Sequence, residues 1–215
     1  MKITARLMQF ETNSPSGNLE ILFCDWEIPR EQVRGEAPVQ KGVCFIPADL
    51  SAVAHVRSYI EHVANTFSLS EQSIFELALV ADELVANAIL ASYAKNGNEN
   101  IVLKWTMKDN IFTLSVLDYG GGFKITEVFD EIPRGSDLAS FLRSLKEYRE
   151  ARTAVIPLNG ALIEHVRFGR GLRIISNLVR KLDIEFHDAD GSTVHEPTAN
   201  TVGSIITIEY VAQAA

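Results

Sequence analysis

Apolar residues recur three and four apart through two adjoining stretches near the middle of the chain and alternate with polar ones in shorter stretches on either side. Val53, Val56, Ile60, Val63 and Phe67 predict a first helix from about Asp49 to Phe67. Ile74, Leu77, Ala81, Leu84 and Ala88 predict a second, longer helix. Ser70 is placed to cap its start, and Gly97 to end it in a left-handed turn. Two alternating runs follow, Ile101 to Met107 and Ile111 to Leu117, around Lys108-Asp109-Asn110. They read as an antiparallel pair with one buried face. Upstream, Ile3 to Phe10 and Leu19 to Ile28 form a hairpin signal across the Pro- and Gly-containing stretch Thr12 to Asn18. Pro29 to Gly42 reads as a polar linker, and Val43 to Ile46 as a short strand ending at Pro47.

Beyond Leu117 the pattern loosens. A long segment from about Lys124 to Phe168 holds an amphipathic helix near Ser136 to Glu150, with Leu138, Phe141, Leu142, Leu145 and Tyr148 on one side. Gly169-Arg170-Gly171-Leu172 then opens a helix running to about Leu182. Ile184 to His187 and Gly203 to Val211 are closing strands, joined by the polar stretch Asp188 to Val202. Strands that pair mainly with their sequence neighbours, grouped around helices, predict an α+β fold. The expected form is a two-layer α/β sandwich whose mixed, mostly antiparallel sheet carries its helices on one face. The expected division is an N-terminal extension over 1–42, a β-hairpin plus linker, and a main domain over 43–215 with a lid-like insert at about 124–168.

Composition narrows the function classes. With 215 residues, 47% of them hydrophobic, the chain can bury a sizeable core. Its net charge of −8 argues against a broad nucleic-acid footprint. Cys24 and Cys44 form no CxxC pair, and the histidines show no metal-ligand spacing. No apolar run is long enough to span a bilayer, and the first ten residues lack a signal-peptide core. A cytoplasmic protein with no direct contact to nucleic acid or membrane is expected.

No GxxxxGK[ST] loop, GxGxxG fingerprint or G-x-S-x-G elbow occurs. What the chain offers instead is an ordered set of parts. Glu83 and Asn87 stand one turn apart on the long helix. Asp118 ends a strand and is followed by Gly120-Gly121-Gly122, where Gly120 and Gly122 can let the backbone approach a flat base and take positive φ. Gly169 and Gly171 can hinge a lid and expose backbone N–H groups at the start of the Leu172 helix, a ready phosphate site. An aspartate at a strand end could accept a hydrogen bond from an adenine amino group. Asn87 offers Mg²⁺ a neutral oxygen, and Glu83 could take a proton from an attacking hydroxyl.

On these residues, the segment from about Val43 to Tyr210 resembles the GHKL ATPases, the superfamily of gyrase, a heat-shock chaperone, histidine kinases and MutL. Within it, the chain looks most like the anti-sigma-factor serine/threonine kinases of bacterial partner-switching systems. Glu83-Leu84-Val85-Ala86-Asn87-Ala88 resembles their N box, Asp118-Tyr119-Gly120-Gly121-Gly122 their D-x-G-x-G, Gly169-Arg170-Gly171-Leu172 their second glycine box, and Gly203-Ser204 their late G-T pair. The resemblance implies a Bergerat-type site for ATP and Mg²⁺. Glu83 would be the general base, Asn87 the metal ligand, Asp118 and Ser204 the adenine contacts, and the glycines the frame of the lid. It also implies phosphorylation of a STAS-domain antagonist (an anti-anti-sigma protein) and capture of a sigma factor. A non-catalytic ATP-binding interaction module and a detached sensor-histidine-kinase catalytic domain are the alternatives. Ala91 stands where the family often has His, and neither residues 1 to 40 nor the Asp188 to Val202 connection is part of the pattern. The N-terminal hairpin could cover a sheet edge, form a homodimer contact or dock a partner.

Overall fold

A computed structural model of the chain describes residues 2–10, 19–27, 40–95, 99–123, 153–158, 161–166 and 171–215. In chain order the elements are β1 (Lys2–Phe10), β2 (Leu19–Glu27), β3 (Gln40–Ile46), α1 (Ser51–Thr66), α2 (Glu71–Lys95), β4 (Ile101–Lys108), β5 (Ile111–Leu117), β6 (Thr153–Leu158), β7 (Ala161–Val166), α3 (Gly171–Leu178), β8 (Lys181–Asp188), β9 (Thr193–Val194) and β10 (Thr201–Val211). Eight strands form one sheet in the order β1-β2-β3-β4-β5-β10-β8-β9. Each neighbouring pair in it is antiparallel, so the expected sandwich is present without a parallel component.

The alternation read from sequence sets which face of the sheet is covered. Ile101, Leu103, Trp105 and Met107 of β4 are buried, as are Phe112, Leu114 and Val116 of β5 and Ile206, Ile208 and Tyr210 of β10. These side chains meet α1 and α2 in one apolar core with Val56, Ile60, Leu77, Leu84 and Ala88. On the other face Thr207 donates a hydrogen bond to Ser115 Oγ at 2.9 Å. The β4–β5 turn places Asp109 and Asn110 at φ 50° and 62°, the two-residue turn whose twist suits a hairpin and whose left-handed positions Asp and Asn tolerate.

Helix α2 is the spine. Ser70 Oγ accepts the Ser73 N–H at 3.3 Å, capping its start as expected. The predicted single apolar stripe is too narrow: Ala78, Val80, Val85, Ile89 and Leu90 are buried as well. The helix is packed by α1, α3 and the sheet together, so more than one face loses water. Polar residues on such a helix sit in half-dry surroundings, and this is where Glu83 and Asn87 lie.

The structure corrects several boundaries. Gln40, Lys41 and Gly42, expected in the linker, belong to β3 and pair with β2 on one side and β4 on the other. Helix α3 ends at Leu178 rather than near Leu182, because the Arg180 N–H turns to the Glu209 carbonyl at 2.8 Å and Lys181 enters the sheet opposite Glu209. A two-stranded ladder of β6 and β7 lies within the expected insert and is additional to the expected helix. The sequence signal for it was the intervening Asn159-Gly160 pair. The expected helix over 136–150 and the Gly97 cap lie outside the described residues.

The N-terminal hairpin extends the sheet. Ile21 and Phe23 of β2 are buried in the common core. Tyr59 of α1 donates its hydroxyl hydrogen bond to Asp25 of β2 and accepts one from Trp105 Nε1 of β4 at 2.8 Å. A Cβ on Gly42 would strike Trp105 Nε1 and lie 2.6 Å from Asp25 Oδ1, so the strand between them needs glycine there.

Candidate functional site

One face of α2 gathers the predicted residues. Glu83, Asn87 and Ala91 follow one another at intervals of a turn and so span about 12 Å of helix. At the first two, α3 begins: a Cβ on Gly171 would collide with the Glu83 carboxylate and come within 3.0 Å of Asn87 Nδ2. Glycine at 171 therefore lets a helix N-terminus lie directly against a carboxylate and an amide. The N–H groups of a helix's first turn lack partners within the helix, and they favour negative charge. Leu172 points its side chain into the core instead, anchoring the turn, and leaves only its backbone to the site. Gly169 lies outside the described residues.

At Ala91 the second cluster docks. A Cβ on Gly120 would overlap Ala91, backbone included, so the loop after β5 lies directly on α2. The Tyr119 N–H donates to Ser92 Oγ at 3.1 Å, a second tie to the same turn. Sequence reasoning missed Ser92, which no short-range pattern distinguishes. Positive φ, expected at Gly120 and Gly122, belongs to Gly121 (φ 76°), whose N–H donates to the Val202 carbonyl at 3.0 Å. Gly120 and Gly122 serve close approach: Gly122 packs on Pro197 of the polar connection before β10.

Asp118 is buried, and all of its polar atoms have partners. Its N–H donates to the Ser204 carbonyl at 3.0 Å, and its Oδ1 accepts the Gly120 N–H at 2.7 Å. Oδ2 accepts the Ser204 hydroxyl. Its carbonyl accepts from His187 Nε2 at 2.8 Å, a residue that sequence reasoning also missed. Burial pushes the Asp118 carboxyl up from its ordinary value, and the Ser204 and Gly120 hydrogen bonds oppose the rise. Ser204 is buried beside it.

The Glu83 end is wetter. Glu83 and Asn87 are half-buried, and burial raises the Glu83 carboxyl above its ordinary value. Its neighbour Asp82 is pushed up to about 6, chiefly by burial, while Arg57 of α1 opposes the rise and Glu83 adds to it. Arg57 Nη1 stands 3.2 Å from Asp82 Oδ2. Among the described residues there is no group of three or more His, Cys, Asp or Glu that could hold a metal ion, and no helix is long and apolar enough to cross a membrane.

The arrangement joins two chemically different stations on one helix: a desolvated acceptor framed by closely packed backbone, and a half-exposed carboxylate and amide facing a helix N-terminus. Two proteins similar to the chain are anti-sigma F factors of Bacillus licheniformis. One is 28% identical over 120 residues, which is 56% of this chain and 65% of the relative. The other is 27% identical over the same span and shares. The similarity thus spans a little under two thirds of each relative's length. A family model described as a histidine kinase-like ATPase domain matches residues 46–195, well over half of the chain, and on that ground the chain belongs to the histidine kinase-like ATPase family.

Proposed function

We propose that the chain binds ATP with Mg²⁺ along the Glu83–Ala91 face of α2 and acts as an anti-sigma-factor-like serine/threonine kinase, phosphorylating a STAS-domain antagonist in a bacterial partner-switching pathway. The observation that carries this reading is the meeting of Gly171 with Glu83 and Asn87, while Gly120 meets Ala91 two turns along the same helix. Four segments distant in sequence thereby frame one elongated site. Asp118 and Ser204 take the adenine amino group at one end. The α3 N-terminus, with Gly171 and Leu172 backbone N–H groups, takes phosphate at the other. The similarity to two anti-sigma F factors supports the regulatory part of the reading.

The residues fit the metal. Asn87 is half-buried beside the Gly171 backbone, and its single neutral oxygen suits an ion that takes the rest of its shell from phosphates and water. Asn87 would hold Mg²⁺, which when bound neutralises phosphate charge. Glu83 is the base for the attacking hydroxyl: its half-buried carboxyl, raised above the ordinary value, holds a proton more readily than a solvated glutamate. The partners are a STAS-domain protein and a sigma factor, and the setting is the cytoplasm.

Incubation with labelled ATP and a STAS-domain candidate tests this. Phosphoprotein should form with the wild type and not with Glu83→Ala. If ATP binds but no phosphate moves under any condition, the chain is a non-catalytic ATP-binding module of the same fold. If ATP does not bind, the nucleotide reading itself is wrong.

A further inference from the structure

We propose that His187 is a positioning residue that gives the site its preference for a 6-aminopurine, by fixing the backbone of Asp118. The inference rests on the ATP reading above and adds to it a residue outside every motif that led there.

His187 is a buried polar side chain at the end of β8, where strand alternation breaks: Phe186 and His187 are both buried in succession. The break coincides with a register shift in β10, where Thr201 pairs with Asp188 and Gly203 with His187, leaving Val202 between them. That shift aims the Val202 carbonyl at the Gly121 N–H, 3.0 Å away. It also sets His187 Nε2 at 2.8 Å from the Asp118 carbonyl. The ring is held from a second side by Tyr119, edge to face at 5.2 Å and 87°. The hydrogen bond depends on Gly203, because a Cβ there would strike both the Asp118 carbonyl oxygen and His187 Nε2. Phe186, one residue earlier, packs edge to face on Phe123 at 5.3 Å. Strand β8 therefore grips the 118–123 segment at both ends.

The consequence for selectivity follows from donor and acceptor counting. An ionised carboxylate has about four lone-pair sites. Asp118 has given one on each oxygen to Gly120 and Ser204. The remainder can accept an exocyclic amine, whereas a 6-oxopurine would bring an acceptor against an acceptor. That discrimination is only as sharp as the carboxylate's placement. The carbonyl on the same residue, tethered by His187, sets the placement.

Calorimetric titration of the full chain with Mg-ATP, Mg-ITP and inorganic tripolyphosphate tests the assignment. Wild type should prefer ATP to ITP. His187→Phe, which keeps the ring and removes the donor, should lose about threefold to tenfold in ATP affinity, the value of one neutral hydrogen bond. Its affinities for ITP and tripolyphosphate should stay within about twofold. His187→Gln, which restores an N–H donor, should recover part of the lost preference. An unchanged ATP-to-ITP ratio in the Phe variant, or a parallel loss for all three ligands, would overturn the assignment. Should the Phe variant not fold, His187→Leu carries the same expectations. In the unmutated chain, the ring ¹⁵N signal of His187 should move with ATP and not with tripolyphosphate, and no movement with ATP counts against the role. Equal wild-type affinity for ATP and ITP would remove adenine recognition and the ATP reading together. A selective wild type with an equally selective Phe variant would remove only the role of His187.

Discussion

The two ends of the site differ in how much of their bonding the protein supplies by itself. Around Asp118 the amide, the carbonyl and both carboxylate oxygens are already engaged, by Ser204, Gly120 and His187. Around Glu83 and Asn87 close backbone comes from Gly171, and both side chains are only half-buried. The first end is preorganised, as recognition of a rigid flat group requires. The second is open, as suits a flexible charged group that brings its own counter-ion and must be exchanged. A buried carboxylate with no partner would be costly, so each Asp118 oxygen carries one hydrogen bond before any ligand arrives and keeps capacity for another. The second avoids that cost by staying hydrated.

Breaking each end in turn should separate the two roles. The largest effect is expected for Glu83→Ala, which should slow phosphate transfer about 10²- to 10⁴-fold while leaving ATP affinity within a few-fold, read by single-turnover transfer beside calorimetry. Next, Asp118→Ala removes a charged acceptor, at about 1.5–3 kcal/mol, and should weaken ATP binding by about 10- to 100-fold. Gly120→Ala attacks the seam between the ends: its Cβ would overlap Ala91, so the urea midpoint should fall by the equivalent of about 1–3 kcal/mol, and ATP affinity with it.

The smallest effect concerns Asp82, whose carboxyl sits at about 6 against an ordinary 3.8. Between those values the folded chain holds a proton that the unfolded chain has released, so stability falls as pH rises from about 4 to about 6. Asp82→Asn removes this term. The Tm of the variant relative to wild type should therefore climb by a few degrees across that window and level off above it. A difference independent of pH would show that Asp82 is not the titrating group. Arg57 keeps Glu61 at 3.5 Å in the variant, which limits the loss from the broken ion pair.

Much of the layout was legible in the sequence because it is local. Helical spacing found α1 and α2, alternation found β4 and β5, and the Ser70 cap and the Asp109-Asn110 turn follow from single-residue preferences. What escaped depends on contacts between distant segments. Leu182 continues the apolar pattern of a helix, yet pairing with β10 takes it and Lys181 into the sheet. His187 looks like any polar residue near a strand end, and only the Gly203 gap brings it to Asp118. Pro197 sits in a stretch with no apolar pattern, and its packing on Gly122 is a product of the loop's closure. The β6–β7 ladder is different: its turn signal, Asn159-Gly160, is local and lies in the sequence.

The hydrogen-bonded chain from Asp25 through Tyr59 to Trp105 has a practical bearing on any shortened form of the protein. The family match begins at residue 46, beyond both strands that precede it in the sheet and most of β3. A fragment cut there would strand a tyrosine hydroxyl without its acceptor and open the Trp105 indole to water, on the same wall that supports α1. Trimming at residue 195 would delete β10, and Ser204 with it. Residues 212–215 matter as well, because Gln213 exchanges hydrogen bonds with Ser70 and Ser73 at the start of α2, so a piece that keeps both stations runs from the N-terminal hairpin through Ala215.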